Sequence, residues 1–391
     1  MVATRLRFVG AVALTAGLQL SAVSHALVVD RMFVFGDSLS DSGSAAAMTQ
    51  VAPGFSFFPP SQPSPIPGFG VPYDYRFSNG PVAAEYLAGY LGVPSAPAWP
   101  GAPANANPNF AVGGAMTGAA PVLATIPLPP AALCCNFNWL VNSPAGLQTT
   151  PAFLPVKETG LNNQVSLFAS RLAGGAIAPF DPATTLFTVW GGPNDVFLAL
   201  AYAGNPAFGL TPAQQADVLL AYAVNGALNV GMRIAELAAL NADNFLVLNM
   251  PNLGATPLAI SQMLIPELTG VSMLFNFVLD GVLDGLRASL GLNIVEFDTF
   301  AALNNLIASN AFANNTVPCL NTSTPATIEA SIPTILAGCP GYLFFDGVHP
   351  TTAAHQILAQ QLFRAVPEPA PLLLLAAALG LLGWRRHARQ A

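Results

Sequence analysis

Five short runs of apolar residues punctuate the chain, at 31–35, 109–112, 184–190, 244–248 and 292–297. Each is nearly continuous rather than alternating, the pattern of strands covered on both faces, as in a parallel sheet. Between several of them the apolar spacing becomes helical. A helix is predicted over 81–91, with Ser78 and Asn79 upstream as candidate caps. A second covers 160–172, where Leu161, Val165, Phe168 and Leu172 share a face. The stretch 212–240 is long and alanine-rich, either two packed segments or one bent helix, and 353–363 reads as a closing helix. Strands alternating with helices of this length predict a three-layer α/β/α sandwich. In such folds the active site gathers outside the carboxyl ends of the strands. Ser38 follows the first predicted strand, Gly114 the second, Asn194 the third, and Pro251 with Asn252 the fourth.

Three stretches look like additions to this plan. Residues 44–75 are rich in proline, glycine and aromatics, and 115–150 are similar and carry Trp139. Both read either as walls of an apolar substrate entrance or as surface-covering loops. The third, 267–290, is an amphipathic helix expected to pack on the body rather than lie on a membrane or act as a lid.

Composition changes the picture mainly at the ends. Arg5 and Arg7 precede an apolar stretch that closes at Ser24-His25-Ala26, so residues 1–26 read as a secretory signal peptide, with a membrane anchor as the alternative. At the other end, Pro367-Glu368-Pro369 leads into an apolar run of 14 residues, Pro371 to Trp384, followed by Arg385, Arg386 and Arg389. That run is short for a membrane span, which needs about 17–25 residues. Residues 366–391 resemble the PEP-CTERM sorting signal of Gram-negative bacteria. The resemblance implies transient inner-membrane association, cleavage by an exosortase-type protease, and delivery to the cell surface or beyond. A simple C-terminal anchor is the alternative, and both leave the body, 27–365, outside the cytoplasm.

Residues 27–366 hold seven basic and eighteen acidic residues, a net charge of −11. Nucleic acid is excluded as a partner, because its backbone demands clustered positive charge. With 53% hydrophobic residues the chain is not a disordered one. Cys319 and Cys339 flank a Thr/Ser/Pro-rich loop that a disulfide would close, while Cys134 and Cys135 are adjacent and their pairing stays open. Four histidines exist in all; His25 and His387 fall in the end segments, leaving His349 and His355 in the body. With two histidines in the body and no Cys-x-x-Cys, no structural zinc site is expected.

Four tetrapeptide-scale blocks carry the chemistry: Gly36-Asp37-Ser38-Leu39, the run from Asn109 to Ala115, Gly192-Pro193-Asn194-Asp195, and Asp346-Gly347-Val348-His349. In this order and spacing they resemble the conserved blocks of the GDSL, or SGNH, hydrolases along most of residues 30–364. The resemblance implies a flavodoxin-like sandwich with a five-stranded parallel sheet and a serine esterase or lipase without cofactor. The residue types fit that chemistry: Ser38 as nucleophile, His349 as base and then acid, and Asp346 orienting the imidazole. By the family pattern the oxyanion donors are the backbone N–H of Ser38, the backbone N–H of Gly114 (or its neighbour Gly113) and the side-chain amide of Asn194. Asp37 and Asp41 are expected to hold the Ser38 turn, and Asp195 to act as a structural acceptor. His355, six residues past His349, is expected to face elsewhere. The Gly-x-Ser-x-Gly elbow of α/β-hydrolases is absent around Ser38. The resemblance leaves the substrate open between lipid or aliphatic esters and acetylated surface polysaccharide, and leaves room for an idle adhesion protein on the same scaffold.

Overall fold

A computed structural model describes residues 27–51, 76–99, 107–118 and 158–366. The two end segments, most of the first two additions, Trp139, Cys134 and Cys135 lie outside the described residues.

The sheet comprises β1 (Arg31–Gly36), β2 (Ala96–Pro97), β3 (Pro108–Asn109), β4 (Thr185–Trp190), β5 (Asn244–Leu248) and β6 (Asn293–Phe297), in the order β2-β3-β1-β4-β5-β6 with every pairing parallel. The expected five strands are therefore six. The sixth, β2, is two residues long and contains a proline, too short to leave an apolar signature. The expected strand at 109–112 contracts to Pro108–Asn109, because the Asn109 side chain accepts from Ala111 N at 2.9 Å and bends the chain out of regular pairing. Parallel contact with β1 nevertheless continues through Phe110 N to Val34 O and Val112 N to Gly36 O.

Alternation along the strands builds two cores. Phe33 and Phe35 of β1 and Phe245 and Val247 of β5 point to one face, while Met32, Val34, Leu246 and Leu248 point to the other. The first face is covered by α3 (Leu161–Ala173), α4 (Pro193–Ala203), α5 (Pro212–Ala238) and α7 (Ile265–Leu290), the second by α2 (Ala83–Leu91) and α10 (Thr352–Ala365). Shorter helices complete the chain: α1 (Ser44–Val51), α6 (Pro257–Ser261), α8 (Thr299–Ala308) and α9 (Pro325–Leu336). Period-two burial on both sides is what a central parallel sheet requires.

The long alanine-rich stretch is one helix. Its start is set by Thr211, which accepts from Gln214 N and whose own N–H is taken by Gln214 Oε1 at 2.9 Å, with Pro212 in the first turn. Both α5 and α7 are long and apolar enough to cross a membrane by length and composition. They pack against each other and onto the sheet instead. As expected for an amphipathic helix on the body, α7 buries Leu268, Val271, Phe275, Leu279 and Leu283 and leaves Met273 and Phe277 outside.

Ser78 and Asn79 do not cap α2. Its first turn is held by Glu85 Oε2, which accepts from Val82 N at 3.0 Å. Asn79 instead accepts from Thr352 N at 2.9 Å, and Ser78 donates to Pro350 O at 2.9 Å. Both residues thus anchor the start of α10, more than 270 positions away.

Cys319 and Cys339 form a disulfide. Cys319 N donates to Phe344 O and Leu320 N to Phe345 O, so the bridged loop supports the segment that leads into Asp346. Replacing both cysteines by serine should lower stability by about 3 kcal/mol, since a loop of this size loses roughly that much closure entropy. Urea unfolding of the double variant under oxidising conditions measures it, and an unchanged midpoint would refute the estimate.

Candidate active site

The register of β1 against β4, from Arg31 opposite Thr185 to Gly36 opposite Trp190, brings two loops to one edge of the sheet. Ser38 lies two residues beyond the first strand and Asn194 four beyond the second. Gly114 arrives from the loop after β3, and Asp346 and His349 from the turn before α10. All five line one cavity of about 280 Å³.

Within it, Ser38 Oγ and His349 Nε2 are 2.7 Å apart, and His349 Nδ1 and Asp346 Oδ2 are 2.7 Å apart. The other oxygen of Asp346 accepts from Val348 N at 2.9 Å and His349 N at 2.8 Å, so the carboxylate closes the very turn that carries the imidazole. Burial alone would raise the Asp346 carboxyl, but the His349 charge and hydrogen bond, with the two amides, hold it below the usual range. Burial likewise opposes protonation of His349. The facing Asp346, its hydrogen bond and the charge of Asp37 outweigh it and lift the imidazole above its ordinary 6.5. Phe77 lies against the His349 ring at 5.3 Å between centroids. A serine hydroxyl so placed gives up its proton to a neutral imidazole, and the carboxylate stabilises the imidazolium that results.

The Ser38 turn is held from several sides. Asp37 Oδ1 accepts from Leu39 N at 2.9 Å, Asn109 Nδ2 donates to Ser40 O at 2.7 Å, and Gln164 of α3 bonds both the N–H and the carbonyl of Gly36. Asp37 is pushed up to about 7 by burial, with the Leu39 amide and His349 pulling against it. Asp41 plays a wider part than expected. Its two oxygens accept from Gly43, Ser44, Ala45 and Gly113 amides at 2.7–3.1 Å, capping α1 and pinning the loop after β3. Burial pushes its carboxyl up to about 6 while these four donors pull it down. Asp195, pushed up to about 7 by burial, accepts from the N–H and hydroxyl of Thr117 and so ties α4 to the same loop.

The two glycines of that loop separate in role. Gly113 N is committed to Asp41, and a Cβ there would lie 2.0 Å from the Phe77 ring, so any larger residue would have to push that ring aside. Gly114 has φ +81°, a left-handed conformation that glycine adopts freely. Its N–H and that of Ser38 make no hydrogen bond among the described residues. Asn194 Nδ2 donates to Ala115 O at 3.1 Å, which fixes the amide and spends one of its two hydrogens.

A model of the GDSL-like lipase/acylhydrolase family matches residues 32–362. The chain belongs to that family. It is therefore a GDSL-type serine hydrolase acting on carboxylic esters. Among its relatives is a GDSL esterase/lipase of Arabidopsis thaliana, 25% identical over 365 residues, which cover 87% of this chain and 92% of that protein. The thermolabile hemolysin of Vibrio parahaemolyticus is 26% identical over 242 residues, 59% of this chain and 51% of the hemolysin. A solved structure of a lipolytic G-D-S-L family protein from Veillonella parvula aligns with 13% identity and a TM-score of 0.32, covering 78% of this chain and 96% of that one.

Two features of this GDSL hydrolase escaped the sequence reading. Gln164 sits on the apolar face of α3 with no local sign that it clamps Gly36. His355, expected to face elsewhere, lines the same cavity as Ser38. Burial drives its ring down to about 3, so it stays neutral, and neither ring nitrogen has a partner among the described residues.

Proposed function

We propose that the protein is an exported serine esterase or lipase that hydrolyses esters of apolar acids through an acyl-enzyme on Ser38. His349 takes the Ser38 proton, delivers it to the leaving alcohol, and then activates water; Asp346 keeps the imidazole in the productive tautomer. The oxyanion is received by the backbone N–H of Ser38 and Gly114 and by the second amide hydrogen of Asn194. The observation that carries this reading is the unbroken Ser38–His349–Asp346 hydrogen-bond chain, opening on a largely apolar cavity. Export through segments 1–26 and 366–391, with domain boundaries at 27 and 365, belongs to the same proposal, as does passage through a sorting protease at the inner membrane. Mass analysis of the mature protein from a Gram-negative host tests it: a chain retaining both ends would refute the processing.

Hydrolysis of p-nitrophenyl esters from acetate to palmitate tests the substrate class. A maximum well beyond acetate is expected. A maximum at acetate would favour a carbohydrate O-acetylesterase instead, and an absence of turnover that depends on Ser38 would leave an idle scaffold.

Replacing Asn194 by alanine should lower kcat by about 10²–10³-fold with a much smaller effect on KM, because the donor acts on charge that develops in the transition state. An equal loss carried by KM alone would remove Asn194 from the oxyanion site. The pH profile follows from His349. Below its raised pKa the imidazole holds a proton and accepts none, so kcat/KM falls as pH falls, and the acid limb should centre above 6.5. The sign for stability is opposite. A raised histidine pKa stabilises the fold below 6.5 and that contribution disappears as pH rises through the folded value. An acid limb centred below 6.5 would contradict the assignment.

A further inference from the structure

The cavity at Ser38 extends well past the reacting groups. Its far walls are Ala302, Leu303 and Leu306 of α8, Ile357 and Leu358 of α10, and Phe344 between them. Of α8 only Thr299 is fully buried, so Leu303 and Leu306 stay half-covered, as do Ile357 and Leu358 across the gap. Two helices therefore face each other with apolar side chains that the protein itself does not finish burying. Among all lining residues, the ionisable ones other than neutral His355 are Asp37, Asp346 and His349, at the reacting end. Of the other lining hydroxyls, Thr256 and Thr299 already donate to the backbone carbonyls of Leu253 and Asn249, so a sugar ring in the far part would find mainly Gln361, and unpaired hydroxyls in an apolar wall are strongly rejected.

We infer that the cleft between α8 and α10 seats one unbranched alkyl chain of the ester substrate, and that Leu306 and Ile357 set the chain length accepted. The inference rests on the esterase reading of Ser38 and goes beyond it in naming the walls. The chain covers Leu303, Leu306, Ile357 and Leu358 and displaces water from them. Each further methylene buried there should raise kcat/KM by about fourfold until the cleft is full.

The test uses the full-length protein and two series of substrates: p-nitrophenyl esters of straight-chain acids, and acetates of straight-chain alcohols followed by pH-stat. Leu306→Trp and Ile357→Trp should each move the optimum to a shorter chain and cut turnover of the longest good substrate by about tenfold or more, with the shortest ester changed by less than about threefold. Leu306→Ala should move the optimum the other way, and it keeps the test decisive if a tryptophan variant does not fold by thermal denaturation. A shift in the acid series assigns the cleft to the acyl chain; a shift confined to the alcohol series assigns it to the alkyl part of the leaving group. Folded variants with wild-type profiles in both series would overturn the inference. A loss of all turnover that depends on Ser38, in the unmodified protein, would instead overturn the esterase reading.

Discussion

Ser38→Ala should lower kcat for any accepted ester by about 10⁴-fold or more while leaving the fold intact. The hydroxyl sits 2.7 Å from His349 Nε2 and has no other role in the hydrogen-bond chain, so its removal takes the nucleophile and little else. His349→Ala should cost nearly as much. The double variant should be scarcely worse than either single one, since nucleophile and base act as a unit and their losses do not add. Single-turnover and steady-state kinetics on the three variants, with circular dichroism to confirm folding, measure the cycle. Multiplying losses would mean that Ser38 and His349 act independently, against the 2.7 Å contact.

Asp41→Ala should be the most damaging substitution that touches no reacting atom. Four buried or half-buried amides converge on that carboxylate, and each donor left unmade costs about 1–3 kcal/mol. Within one network the losses overlap, so a total on the order of 4 kcal/mol is expected. Asp41→Asn keeps the shape and one acceptor oxygen but turns the second, which takes two of the four amides, into a donor facing two N–H groups, so it should recover part of the loss only. Because Gly113 N is one of the four, freeing it also frees the loop that carries Gly114. Activity of whatever protein remains folded should then fall mainly in kcat. Denaturant unfolding at neutral pH gives the stability change. A loss within experimental error of zero would mean that water replaces the carboxylate, and that Asp41 is not the pin of the loop.

What the sequence disclosed and what it withheld divide along a physical line. That Ser38, Asn194, Asp346 and His349 meet at one cavity was legible because each lies within a few residues of an element end. Strand positions were legible for β1, β4 and β5, where burial on both faces leaves a continuous apolar run, and for the edge strand β6, where Ile294, Val295 and Phe297 are buried or half-buried. The two-residue β2 leaves no such run. That Gly113 N is already taken was not legible, because its acceptor is a carboxylate more than 70 positions away. Ser78 and Asn79 look like local caps, yet their partners are at the start of α10. Counting turns from His349 to His355 misplaced the second ring, because His349 precedes α10 and the helical rotation does not begin until Thr352. Sequence proximity supports inference only inside one regular element; across its boundary the tertiary contacts decide.

The most direct test of the central claim is covalent labelling of the purified protein with a fluorophosphonate, followed by intact and peptide mass analysis. One adduct per chain, on the peptide that carries Ser38 and absent from Ser38→Ala, is the predicted result. An adduct on another residue, or esterase activity that survives in unlabelled Ser38→Ala, would contradict it.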